Sequence, residues 1–242
     1  MQPKFYMFLL SFFVIVPFFT PTQSANAGWA DTLKKVGTEM ADEKAKKSGL
    51  SYTSSEAVSG IKEVLSQGTD YGTSILSSAG GFSQNSETAL SLPSGLSALT
   101  SLGGDSSGLL SALNTAAENS VPETSDLIMS AISDTDITET SDLLDGGETA
   151  ITQFFESQSR DSLKTMVTPV VTKSIESAGV NSYLQPLMAA QTLTGGDSTL
   201  FDPVDYVSEK TLDGMFYYMG VKEKEIRTSG AASASSLLQK LF

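Results

Sequence analysis

The sequence predicts an all-α fold: a single compact multi-helix domain with a serine- and glycine-rich internal loop and one short extended piece near residues 89–93. Three observations predict it. Apolar residues recur at intervals of three and four in segment after segment, the spacing that lines one face of a helix. Glycines, prolines and capping residues punctuate those segments at their ends. The apolar–polar alternation of a half-buried strand is almost absent.

The chain opens with MQPKFYMFLLSFFVIVPFFTPTQSANA. Lys4 is the only charge there, an apolar run follows from Phe5 to Phe19, and Ala25-Asn26-Ala27 gives the small-x-small pattern that signal peptidase needs. This three-part pattern predicts residues 1–27 to be a secretory signal, cleaved after Ala27. A membrane span needs about 20 continuous apolar residues, and Pro17, Thr20 and Pro21 break this run early. No cysteine follows it to carry a lipid, and no transmembrane span is expected in the mature chain.

Residues 28–50 are expected to form a charged helical arm. Trp29, Leu33, Val36 and Met40 share a face, with Lys34, Lys35, Glu39, Asp42 and Glu43 opposite. The main helical domain is expected over residues 51–242. Thr53-Ser54-Ser55-Glu56 fits a capping box, and Val58, Ile61, Leu65, Gly68, Gly72 and Ile75 then form one stripe. Two glycines in that stripe cost about 1 kcal/mol each relative to alanine, which points to close approach of another backbone. Residues 82–107 supply the internal loop, with Ala89-Leu90-Ser91-Leu92-Pro93 as its extended piece and a short helix over Ser94 to Leu102.

Leu109, Leu110, Leu113, Ala116 and Ala117 begin the next helix. Pro122 is expected to interrupt or kink it, and Leu127, Ile128, Ala131 and Ile132 continue it. Asp136 and Glu139 resemble a cap before Leu143-Leu144. Gly146-Gly147 precedes a short apolar helix with Ile151, Phe154 and Phe155. Leu163, Val167, Val170, Val171, Ser174 and Ile175 then form a helix bent at Pro169, and Tyr183 to Ala190 adds a short turn. Asp202-Pro203 suits a cap followed by a first-turn proline, and Leu237 to Phe242 reads as a docked terminal helix.

Composition excludes whole classes of chemistry. The chain has no cysteine and no histidine, which removes disulfides, a Ser-His-Asp triad, a cysteine nucleophile, a haem histidine and ordinary zinc sites. Fifteen lysines and arginines oppose 28 acids, a formal charge of −13 that argues against nucleic acid and anionic membrane surfaces. The acidic stretch from Asp134 to Glu148 lacks the glycine and the long glutamate of a calcium loop. Gly146-Gly147-Glu148-Thr149 has no following lysine at phosphate-loop spacing and reads as a turn and cap. No metal and no cofactor is expected.

The segment YVSEKTLDGMFYYMG holds the candidate site. Val204, Val207, Thr211, Leu212, Met215, Phe216, Met219 and Ile226 share a broad buried arc. The opposite arc carries Tyr206, Glu209, Lys210, Asp213 and Tyr217, with Lys210 and Asp213 at i, i+3 and Tyr206 and Lys210 at i, i+4. That arc is either a solvated salt-bridge face or the lining of a cleft.

SSEAVSGIKEVLSQGTDYGTSIL, then GGF, LSLP, LNTAAENSVPETSDLI, GGETAITQFFESQSRDSLKTMVTPVV, YVSEKTLDGMFYYMGVKEKEIR and SLLQKLF occur in this order. Together they resemble the bacterial family called domain of unknown function 4197, over residues 51–242. Gly146, Gly147, Glu148, Thr149, Ala150, Phe154 and Phe155 match one of its patterns. Tyr206, Val207, Lys210, Leu212, Asp213, Gly214 and Phe216 match a second, and Glu223, Ile226 and Arg227 its follow-on. The serine-rich middle departs from the family, which is usually more basic and aliphatic there. The resemblance implies an exported, mostly helical protein of Gram-negative bacteria and supplies no activity.

The expectation is a non-enzymatic periplasmic protein that binds a protein partner or an apolar small molecule. Tyr206, Lys210, Asp213, Tyr217 and Arg227 are its candidate binding residues. The alternatives are an enzyme working with carboxylates around Asp213, Glu209, Lys210 and Tyr206, and a structural envelope protein.

Overall fold

Local capping chemistry starts the first helix, α1 (Ser54–Leu76). Thr53 Oγ1 accepts from the Glu56 amide at 3.2 Å, and the Glu56 carboxylate accepts from the Thr53 amide at 2.8 Å, closing both halves of the capping box. The computed structural model describes residues 51–93, 96, 105–138, 140–193, 201–229 and 235–242. The signal segment, the 28–50 arm and nearly all of the helix expected over Ser94 to Leu102 lie outside them. The described helices belong to one unit, Ala41–Phe242.

Six more helices follow: α2 (Ser106–Asp134), α3 (Thr140–Leu144), α4 (Ala150–Ser177), α5 (Val180–Leu193), α6 (Pro203–Thr228) and α7 (Leu238–Leu241). There is no strand among the described residues. At the start of α6, Asp202 Oδ1 accepts from the amides of Val204 (2.9 Å) and Asp205 (3.2 Å), and Pro203 occupies the first turn where no N–H is needed.

The four long helices form an up-down-up-down bundle. Lys62 reaches the Ser133 carbonyl (2.7 Å) while Thr73 donates to Ser125 (2.8 Å), so α1 and α2 run antiparallel. Gly68 lies against Met219 and Gly72 against Tyr218 and Met215, which sets α6 antiparallel to α1. Phe155 meets Phe216 and Lys164 meets Asp205, which sets α4 antiparallel to α6. α2 packs on α4 and closes the ring. Ile61, Leu65, Leu113, Ile128, Phe155, Leu163, Leu212 and Met215 fill the centre, each less than 2 % exposed.

The glycine stripe of α1 has the reason its sequence suggests. A Cβ at Gly68 would stand 2.9 Å from Met219 Cα, a backbone atom of α6. The α1–α6 contact therefore depends on a missing side chain.

Three elements differ from the sequence expectation. α2 is one helix of 29 residues that Pro122 does not interrupt. A mid-helix proline costs about 3 kcal/mol, and burial of Leu113, Val121 and Ile128 along the whole length offsets it. The segments before and after Ser159 are likewise one helix, α4. Its buried stripe runs Ile151, Phe155, Ser159, Leu163 and Val167 at intervals of four. Ser159 breaks the apolar pattern but satisfies its hydroxyl on the Phe155 carbonyl (2.6 Å) and packs inside. The turn expected at Tyr183 to Ala190 is a 14-residue helix, α5. Gly179, at φ 69°, closes α4 and lets the chain restart. Val180, Leu184 and Leu187 then fall at i, i+4 and i+7 and are buried.

Candidate ligand-binding cleft

The N-terminus of α4 is the first piece of the site. Its N-cap, Thr149, makes no side-chain capping bond, so the first amides need another partner. Glu223 on α6 supplies it. Its carboxylate accepts from the Ile151 amide (3.0 Å) and the Thr152 amide (2.7 Å), and the side chain is fully buried. Arg227, one turn on, donates from Nε to Glu223 at 2.9 Å. It also donates to the carbonyls of Leu143 and Leu144, both at 2.7 Å, which end α3. The Phe242 ring lies under the guanidinium, 4.9 Å from its carbon. The helix start thus holds an anion that is the chain's own carboxylate. Gly220 lets Thr149 pack against α6, because a Cβ there would stand 3.2 Å from Thr149 Cγ2.

The second piece is a ladder of charges between α4 and α6. Asp205, Glu209 and Asp213 fall four residues apart on α6, and Arg160 and Lys164 fall four apart on α4. The antiparallel register interleaves them. Lys164 donates to Asp205 and Glu209, both at 2.7 Å. Arg160 donates to Glu209 (2.7 Å), to Glu156 (2.6 Å) and to Asp213. Lys210 closes the row on Asp213 at 3.0 Å. The hydrogen bond from Lys164 holds the Glu209 carboxyl below its ordinary range, outweighing partial burial, with Arg160 adding to it. Partial burial pulls the Arg160 guanidinium down, but its bonds to Asp213 and Glu209 more than offset this and raise it.

The Glu209 shift fixes a pH dependence. A depressed carboxyl stabilises the fold above its unfolded value near 4.5 and loses that contribution as pH falls through the lower folded value. Urea midpoints taken from pH 6 down to pH 3 are therefore expected to fall less steeply for Lys164→Met than for the wild type. Parallel curves would show that the pair does not couple to folding.

The ladder and the helix start border a cleft of about 360 Å³ between α4 and α6. Phe216, Tyr217, Gly220 and Val221 form its α6 wall, since positions three and four apart face the same way. Thr152 and Gln153 form the α4 wall, and Glu156, Asp213 and Lys224 stand among its polar lining. Phe216 is 4 % exposed and sits edge-on to Phe155, whereas Tyr217 is 39 % exposed. A second cleft of about 370 Å³ lies beside Gly80, Asn85 and Tyr218. Two of its polar groups are already paired: the Gly80 amide with Glu118, and Asn85 with the Tyr218 hydroxyl.

The model of a family described as "Protein of unknown function (DUF4197)" matches residues 51–242. The chain belongs to that family. No curated protein and no solved structure matches it.

Two stretches that carry the DUF4197 resemblance meet in space. Gly146 to Ala150 leads into the helix start that Glu223 caps, and Arg227 ties Glu223 to the preceding short helix. The five residues singled out from sequence are not one cluster. Asp213 and Tyr217 line the cleft. Lys210 closes the ladder beside it. Tyr206 exchanges hydrogen bonds with the backbone of Ser91, so it fastens the 89–93 segment to α6, and its ring packs tilted against Phe201 at 5.5 Å. That segment is neither helix nor strand. Arg227 belongs to the Glu223 knot and is largely covered, 11 % exposed. Thr152, Gln153, Gly220, Val221 and Lys224 were not among the candidates. The ladder partners had a readable signal, a basic pair at spacing four matching an acidic triplet at spacing four. Thr152 and Gly220 had none, because only the α4–α6 register makes them neighbours of the cleft.

Proposed function

We propose that this protein is an exported, non-enzymatic binding protein whose cleft between α4 and α6 takes a small, largely apolar molecule. The observation that carries the reading is the cleft itself. It is a hollow of about 360 Å³ in the size range of ligand pockets, walled by Phe216, Tyr217 and Val221 with polar groups at defined places around them. Tyr217 keeps more than a third of its surface exposed there, an aromatic ring available to a ligand. The secretory pattern of residues 1–27 supports export to the periplasm. No helix among the described residues is long and apolar enough to cross a membrane.

The carboxylate-enzyme reading has less support. Glu209 has both oxygens engaged by cations and a lowered pKa, the opposite of a group poised for proton transfer near neutral pH. Asp213 bridges Arg160 and Lys210.

Purification of the exported chain from its natural host, followed by solvent extraction and mass spectrometry, tests the reading. An apolar compound is expected to co-purify in stoichiometric amount, and Tyr217→Ala is expected to carry roughly tenfold less, the loss of one aromatic contact of about 1 kcal/mol or slightly more. An empty wild-type chain, or equal loading of Tyr217→Ala, would count against it. Terminal sequencing of the same material should begin at Gly28.

A further inference from the structure

We propose that the ligand of this cleft is a neutral aromatic molecule bearing one hydroxyl or carbonyl group, and that the Thr152 hydroxyl recognises that group. The proposal rests on the reading of the cleft as a ligand site and names the chemistry that it takes.

Thr152 lines the cleft and is 3 % exposed. Its hydroxyl oxygen has no hydrogen-bond partner among the described residues and less than 1 Å² of accessible surface, so a turn of the side chain about χ1 is what brings it to a ligand. Threonines elsewhere in the same helix behave differently. Thr165, Thr168 and Thr172 each donate to the carbonyl four residues back, at 3.1, 2.7 and 2.8 Å. The backbone amide of Thr152 goes to Glu223. A buried hydroxyl without a partner is costly and rare in folded proteins, and a ligand group that pairs with it recovers the loss. Thr124 and Ser208 carry the other two such hydroxyls, and neither residue lines this cleft or the second one.

The remaining features set the rest of the ligand. Phe216 and Tyr217 offer aromatic surface, which suits a flat ring by edge or offset contact. The charges around the cleft are already satisfied. Glu156 and Asp213 share Arg160, and Lys224 pairs with Glu148 at 2.6 Å. A charged ligand would have to break one of these pairs or enter without a counterion, so a neutral molecule fits better.

Three matched probes test this on the chain from Gly28 to Phe242: 1-naphthol, naphthalene and 1-naphthoate, titrated by calorimetry or by ligand-observed nuclear magnetic resonance. The wild type is expected to bind 1-naphthol roughly fivefold more tightly than naphthalene, the worth of one neutral hydrogen bond, and 1-naphthoate most weakly. Thr152→Val, which keeps the shape and removes the hydroxyl, should bind both neutral probes alike while melting no lower than the wild type. Thr152→Ser should keep the preference. Retention of the preference in Thr152→Val, or tightest binding of 1-naphthoate, overturns the proposal. Equal binding of the two neutral probes to the wild type sinks this inference alone. Binding of neither sinks the cleft reading with it.

Discussion

Arg227→Ala is expected to destabilise the fold by about 3–5 kcal/mol, the cost of leaving one partner of a buried ion pair behind. A chain of this size should then melt roughly 10 °C lower. Glu223 is fully buried and Arg227 is 11 % exposed. Removing the guanidinium strands the Glu223 charge and frees the Leu143 and Leu144 carbonyls together. Glu223→Gln should recover little. A carboxylate offers two acceptor oxygens to the Ile151 and Thr152 amides, whereas an amide offers one oxygen and turns a donor toward the other N–H. Buried pairs are often replaceable by apolar residues at no cost, but this one is tied to backbone on both sides. The double variant Glu223→Leu, Arg227→Met should therefore stay well below the wild type in urea unfolding. A double variant as stable as the wild type would mean that water satisfies those backbone groups. Lys224→Ala, between the two on the helix but half-exposed, should shift stability by no more than about 0.5 kcal/mol.

The knot also shows where sequence reasoning stops. Thr53 with Glu56 and Asp202 with Pro203 were legible because each cap is complete within four residues. The buried arc of α6 was legible because period decides it, and Val207, Thr211, Leu212, Met215, Phe216, Met219 and Ile226 are all inside. Glu223 is inside as well, and no local pattern marks it. What makes it core is an amide pair about 70 residues away in the chain. Ser159 and Ser120 hid the continuity of α4 and the packing of α2 in the same way. A hydroxyl that bonds a carbonyl of its own helix, as Ser159 does to Phe155, can be buried without an outside partner, and Ser120 pairs both with the Ala117 carbonyl and with the Thr211 hydroxyl of α6, so each fills a buried stripe while reading as polar. The cleft was half legible. Asp213 and Tyr217 followed from the helical wheel of α6, but the opposing wall needed the register of α4.

Gly68→Ala and Gly72→Ala should diverge, although they lie one turn apart in the same helix. Each gains about 1 kcal/mol of helix propensity over glycine, so any difference between them comes from what the new methyl meets. At position 68 it meets Met219 Cα at 2.9 Å, with Met219 Cβ and the Met219 carbonyl both at 3.2 Å. Two of those three atoms are backbone and cannot swing away, so α1 and α6 must separate. Overpacking of that kind costs about 1–3 kcal/mol, and it loosens contacts along the whole seam, including the Tyr71–Tyr218 edge contact at 5.9 Å. At position 72 the nearest atom is Tyr218 Cβ at 3.3 Å and the next two are at 3.6 Å, ordinary packing after a small adjustment. Chemical denaturation should place Gly68→Ala below the wild type by up to about 2 kcal/mol once its propensity gain of about 1 kcal/mol is set against the overpacking, and Gly72→Ala at or slightly above it. If both variants are stabilised alike, the helices approach less closely than 2.9 Å implies, and the glycines of α1 serve some purpose other than its contact with α6. If Gly68→Ala alone falls, α1 and α6 are locked at backbone distance. The α6 wall of the cleft then has a rigid support behind it, and a ligand entering between α4 and α6 would have to be accommodated by α4.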